Sequence, residues 1–227
     1  LFHYTTLFRS LQSGKTGTIT AGVWSIPNVT VSAGDVVTVF VTAADAAEAV
    51  GVTIYDGTGN ITGFQLYERH IALGSDDATS TALTNADIGL YDFTNTEDVF
   101  FDVIGDDLTA CSDVGCSDVE IFVNASSTYN PGGTVDTHDI EINGTLISTS
   151  TLYISGSWDN NATTTLTNAT VVMVATSTTE TIDTTGAAVP TFGNLEFGTT
   201  TGAATWTLTN TLDVDGDLTV TRGTLAR

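Results

Sequence analysis

The chain reads Asp139-Ile140-Glu141-Ile142-Asn143-Gly144-Thr145-Leu146-Ile147-Ser148 in its middle and Thr211-Leu212-Asp213-Val214-Asp215-Gly216-Asp217-Leu218-Thr219-Val220 near its end. Ile140 matches Leu212, Ile142 matches Val214, Gly144 matches Gly216 and Leu146 matches Leu218, without a gap. Alternating apolar residues put one face of an extended strand inward, and Asn-Gly or Asp-Gly marks a bend between two such strands. A template that recurs with no helix between its copies predicts stacked β-coils, each too small to bury its own apolar face.

Upstream of the template the chain alternates short apolar runs with turn residues. Residues 17–20, 23–26 and 29–31 lead to Val36-Val37-Thr38-Val39-Phe40-Val41, which is apolar on both faces and suits a strand covered on two sides. Residues 43–49, Ala-rich with Asp45 and Glu48, read as one helical turn or a loop and are the only stretch that suits a helix. Strands are predicted over 51–55 and 63–73, either side of the turn Asp56-Gly57-Thr58-Gly59-Asn60. Further strands are predicted over 86–91, 99–104 and 119–123.

Past Thr134 the aromatic residues thin out while Thr, Asn and Ser rise. The reading is all-β: a right-handed parallel β-helix over residues 119–227 and a β-rich section over 11–118, with the boundary near Asp118. Strand spacing of about ten residues also suits a β-sandwich. The recurring template and the Thr/Asn ladders favour stacked parallel coils.

Residues 1–10 are set aside, because Tyr4-Thr5-Thr6-Leu7-Phe8-Arg9-Ser10 resembles a translated sequencing adapter. The alternative is a natural apolar N-terminal segment, such as the tail of a signal peptide. A chain stopping at Arg227 inside a strand-like repeat reads as a piece truncated from a longer protein.

Five Lys and Arg against 27 Asp and Glu give a formal charge of −22. That surface repels nucleic acid and anionic membranes and attracts cations. No apolar run approaches the roughly 20 residues of a membrane span. Thr makes up about a fifth of the chain, a composition for strands and turns rather than helices. Cys111 and Cys116 enclose four residues and read as a disulfide pinning a surface loop, with two free thiols as the alternative. An extracellular location follows from the cysteines and from the scarcity of Lys.

Gly156-Ser157-Trp158-Asp159-Asn160-Asn161-Ala162-Thr163, Ala175-Thr176-Ser177-Thr178-Thr179-Glu180-Thr181-Ile182 and Leu212-Asp213-Val214-Asp215-Gly216-Asp217-Leu218-Thr219-Val220 resemble the β-strand-repeat surface proteins of uncultured, small-genome bacteria. More loosely they are similar to haemagglutinin-like β-helices of large secreted adhesins. The resemblance extends to Gly51-Val52-Thr53-Ile54-Tyr55-Asp56-Gly57 and Leu66-Tyr67-Glu68-Arg69-His70. It implies a long exported chain displayed on a cell, with attachment or envelope roles and with glycans or other surface proteins as partners.

No catalytic signature stands out, so the chain is expected to be a non-catalytic structural or adhesive module. A carbohydrate-active β-helix enzyme and a β-sandwich binding module are the alternatives. Glu68-Arg69-His70 is the densest chemically able cluster, and on a strand Glu68 and His70 would share a face. Its plainer reading is an exposed strand with a weak surface ion pair.

Asp76-Asp77 and Asp106-Asp107 read as turn residues, since neighbours on a strand point apart and form no acid/base couple. No cofactor is expected. Calcium is possible at Asp213, Asp215 and Asp217, and likewise at Asp56 and Asn60, though neither set follows an established calcium-loop spacing. Trp24, Trp158 and Trp206 either stack on sugars or pack in the core. His138 reads as a polar strand position.

Overall fold

The computed structural model describes residues 4–9, 15–41, 48–76, 81–111, 118–176, 179–186, 191–198 and 204–227. Outside these residues lie most of the helical turn or loop at 43–49, Asp77 of the Asp76-Asp77 pair and Cys116 of the expected disulfide. Among the described residues the strands form a twelve-stranded sheet, a seven-stranded sheet, a three-stranded sheet and a two-stranded pair. The chain is a parallel β-solenoid. On its widest face the strands Val50–Ile54, His70–Leu73, Glu120–Val123, Asp139–Ile142, Trp158–Asn160, Thr179–Asp183, Thr205–Leu208 and Thr224–Ala226 all run parallel to one another.

Alternation sets what faces in. Ile71, Ile121, Ile140, Trp158 and Ile182 follow one another on successive rungs of the wide sheet, and all are buried. Leu108, Val135, Leu152, Val171 and Leu195 do the same on the seven-stranded sheet. The two columns meet in one continuous apolar core. At about 1.5–3 kcal/mol for each fully buried side chain, this core supplies the main driving force for folding. Trp158 against Phe192 and Trp206 against Phe197, each pair with ring centroids 5.1 Å apart, fill the interior of the later coils. The two tryptophans are therefore core residues, and Trp24 packs on Phe64 in a second apolar cluster.

The parallel stack begins earlier than composition suggested. Val50–Ile54 already pairs in parallel with His70–Leu73, and the wide sheet runs through Asp118 without a break. Within the wide sheet the direction reverses at Val36–Val41: that strand pairs antiparallel with Val50–Ile54, and the hairpin strands before it continue antiparallel. Among these is Tyr4–Arg9, so the adapter-like segment occupies a strand of this sheet. The seven-stranded sheet likewise starts with an antiparallel pair, Asp102–Ile104 with Asp107–Thr109. Val36–Val41 is covered on both sides as its sequence predicts, with Phe40 in the main core and Val37 and Val39 under Phe64.

Residues 86–91, expected as a strand, form instead the helix Asn85–Ile88, the only helix among the described residues. A capping box explains the difference. The Thr84 side chain accepts from the Asp87 N–H while the Asp87 carboxylate accepts from the Thr84 N–H. The strand expected over 63–73 is shorter, beginning at His70, because Arg69 adopts a left-handed conformation with φ 58° that ends an extended run. No helix among the described residues is long and apolar enough to cross a membrane.

The opening template has a different structural meaning from its gapless match. Its first copy crosses from Asp139–Ile142 of the wide sheet to Thr145–Ile147 of the three-stranded sheet. The second crosses from Asp213–Val214 of the two-stranded pair to Leu218–Val220 of the seven-stranded sheet. They are two different corners built with one local chemistry. Glycine is needed there for close approach, not for a left-handed bend. A Cβ on Gly144 would strike the carbonyl oxygens of Asn124 and Ser127 on the preceding coil, and one on Gly216 would strike Gly193 and Asn194.

Gly144→Ala is therefore expected to lower stability by about 1–3 kcal/mol in urea denaturation. A variant as stable as the parent would refute the close-approach account.

Candidate functional site

The outward positions of the wide sheet carry the chemistry. His70, Glu120 and Asp139 follow one another on successive rungs in one column. Two residues along each strand, Ala72, Phe122, Glu141, Asp159 and Asp183 form the next column. Where the columns begin, Tyr67 leans over them. Its ring lies edge-on to Phe122 with centroids 5.4 Å apart and tilted against the His70 imidazole at 5.4 Å. The Tyr67 hydroxyl donates to Gln65 Oε1 at 2.6 Å. Together Gln65, Tyr67, His70, Phe122, Asn124, Glu141 and Asn143 line an open groove of about 640 Å³.

His70 is fixed by a bond at each ring nitrogen. Nδ1 lies 2.6 Å from the Glu68 carbonyl oxygen, which only accepts, so Nδ1 carries a proton. Nε2 lies 3.1 Å from Glu120 Oε2. Burial disfavours the imidazolium, but the bonds to Glu120 and Glu68 and the negative charges of Glu120 and Glu141 outweigh it. The His70 pKa is thus raised above its ordinary 6.5.

One strand further on, His138 bonds Asp139 Oδ2 through Nδ1 at 2.8 Å and faces Asp118 through Nε2 at 3.6 Å. The Asp139 bond, chiefly, raises the His138 pKa as well. For Asp139 burial works the other way, yet the bonds from His138 and from the Ser157 N–H leave its pKa lowered.

The second column holds carboxylates in a row. Burial chiefly raises the Glu141 pKa, against the bond from Asn143 Nδ2 at 2.6 Å, and the neighbouring Glu120 and Asp159 raise it further. Burial also raises Asp159, and Asp183 on the next rung adds to it.

Of the residues singled out in the sequence, His70 stands in this groove. Glu68 orients it through its backbone carbonyl, and Arg69 belongs to the preceding turn. The carboxylates that join His70, Glu120 and Glu141, were not singled out. They lie far along the chain, and only the sheet register brings them together.

The other candidates take turn roles. Asp107 accepts from the Thr134 N–H, the Asp106 carbonyl accepts from Asn85, and Asp56 accepts from the Thr58 N–H and hydroxyl. Asp213, Asp215 and Asp217 are exposed, and among the described residues no three His, Cys, Asp or Glu side chains come together to hold a metal ion. Cys111 is disulfide-bonded, while Cys116 lies outside the described residues.

The fold and this face define a parallel β-solenoid with an acidic, aromatic-walled groove on its widest sheet. No protein-family model matches the chain, and neither a curated protein nor a solved structure matches it.

The raised histidines give a signed expectation. Their contribution to stability is complete below the ordinary 6.5 and is lost as pH rises through their folded values. Glu141 and Asp159, also raised, remove stability as they ionise, so both effects favour mild acid. The urea midpoint is expected to fall as pH rises through the histidine range, and replacing both His70 and His138 by Gln should flatten that slope. NMR titration should place both imidazoles above 6.5. Values at or below it would contradict the bonding described.

Proposed function

We propose that this chain is a non-catalytic adhesive module of an exported bacterial surface protein, a solenoid that presents a saccharide-binding groove. One observation carries the reading. Tyr67, held against Phe122 and His70 yet 42% exposed, offers a ring platform beside Gln65, Asn124, Glu141 and Asn143. A fixed aromatic face ringed by a few directed polar groups is the combination a sugar needs, one for its C–H face and the other for its hydroxyls. The disulfide at Cys111 supports an oxidising, extracellular setting. The resemblance of the repeats to bacterial surface proteins supports display on a cell.

A second reading, a carbohydrate-active enzyme, is favoured by the meeting of His70, Glu120 and Glu141 in one groove. Against it, both carboxylates are already engaged: Glu120 faces the His70 imidazole and Glu141 accepts from Asn143.

Binding to a panel of immobilised bacterial and plant glycans tests the proposal. Tyr67→Ala is expected to weaken capture about tenfold, the equivalent of about 1.4 kcal/mol, in a variant that circular dichroism shows still folded at the assay temperature. Capture that is indifferent to Tyr67 would overturn the groove's role. Release of reducing ends from the same glycans, abolished by Glu120→Gln, would replace the adhesive reading with the enzymatic one.

A further inference from the structure

We infer that a second cavity, which adjoins the groove and shares Tyr67 with it, is a site for a trimethylammonium cation of the choline type. The inference does not rest on the saccharide reading, because Trp24, Phe64 and Glu68, which carry it, do not line the groove.

The cavity lies where the antiparallel hairpin strands meet the connection into His70–Leu73. It holds about 360 Å³, near the lower end of the range for small-molecule sites. Three rings wall it, Trp24 from the hairpin and Phe64 and Tyr67 from the connection, with buried Val41 behind them. The rings are held before any ligand arrives. Phe64 lies against the strand Val50–Ile54 at Gly51, where a Cβ would strike its ring. Tyr67 is held by Phe122, by His70 and by its bond to Gln65. Trp24 and Phe64 have ring centroids 6.0 Å apart and planes inclined at 57°. A ring attracts a cation over its face within about 6 Å of its centroid, so one group seated in that angle is within reach of both.

The polar groups select the charge and the kind of ligand. Glu68 lines the same cavity and is exposed. Its backbone carbonyl is taken by His70, while among the described residues no bond reaches its carboxylate. A carboxylate beside aromatic faces favours a cation and repels an anion, and the formal charge of −22 acts in the same sense. A neutral apolar guest would fill the walls and leave Glu68 without a counter-charge. A primary ammonium carries three N–H donors and needs an acceptor for each on leaving water. The other side chains here with an acceptor oxygen are Gln65 and Tyr67, and these two are bonded to each other. A trimethylammonium head has no N–H to satisfy, presents methyl groups to the rings and keeps its charge for Glu68.

Calorimetry on the full chain at about pH 7, where carboxylates are ionised, tests the inference. The probes are choline, the neutral alcohol in which a tert-butyl group replaces the trimethylammonium, ethanolamine and glycine betaine. Choline is expected to bind about tenfold more tightly than the neutral alcohol or ethanolamine. Glycine betaine, whose own carboxylate meets Glu68, should bind more weakly than choline. Trp24→Leu and Glu68→Gln should each weaken choline binding about tenfold, whereas Trp24→Phe keeps a ring and most of the affinity. Circular dichroism melting identifies any variant that fails to fold, and the comparison of choline with its neutral counterpart needs no variant. Co-sedimentation with phosphatidylcholine vesicles separates a membrane head group from a free one. It is expected to be absent, since the phosphate of the head group would meet Glu68.

Equal binding of the neutral alcohol would overturn recognition of the charge, and equal binding of ethanolamine would overturn the quaternary head. Full affinity in Trp24→Leu would overturn this cavity as the site. Absence of choline binding would overturn the inference as a whole. Vesicles that sediment the chain and release it to free choline would overturn the soluble ligand in favour of a membrane head group. Glycan capture through Tyr67 that persists in Trp24→Leu and Glu68→Gln leaves the groove reading standing whichever way these results fall.

Discussion

A coil of this solenoid exists only because another coil lies beside it. Its strands are mostly three to five residues long, too short to persist alone. Their backbone groups are satisfied by the neighbouring coil rather than within their own. The corners obey the same rule: Thr145 donates to the Ser127 carbonyl, Ser148 to Thr165 and Val174 to Ile154. Buried backbone groups without partners would be costly, so every coil must match its neighbour in register as well as in shape. The apolar columns inside, the charged columns outside and the tight glycine corners all follow from that requirement.

The same register that builds the core builds the groove. With inward positions given over to Ile, Leu, Val and Trp, only the alternate positions are open to other chemistry, and they stack as directly as the core does. On the wide sheet this aligns His70 with Glu120 and Asp139, and Phe122 with Glu141, Asp159 and Asp183. Two imidazoles take up part of the charge. The rest is left in a line on the directly paired residues Glu141, Asp159 and Asp183.

How much of this was legible in the sequence depended on range. The corner at Asn143-Gly144 and the doubly covered strand Val36–Val41 were readable because each is decided by a few adjacent residues. Which coil lies over which was not. Ile140 sits between Ile121 and Trp158, not in register with Leu212, since coils differ in length and local periodicity carries no record of that. The helix at Asn85–Ile88 was missed although its signal was present, Thr84 followed three residues later by Asp87. His70 could be singled out as a reactive side chain. Its partners Glu120 and Glu141 could not, because the excursion through residues 74–119 separates them and only the closed ladder returns the chain to the same face.

The direction of the ladder also decides how the molecule bears load. Hydrogen bonds between coils point along the stacking axis, and the first and last strands of the wide sheet, Val23–Ser25 and Thr224–Ala226, lie at its opposite edges. Tension applied between those edges acts on the coils one after another instead of shearing many bonds together. Such a chain yields by unwinding a turn at a time, lengthening under modest force and rewinding when the force is released.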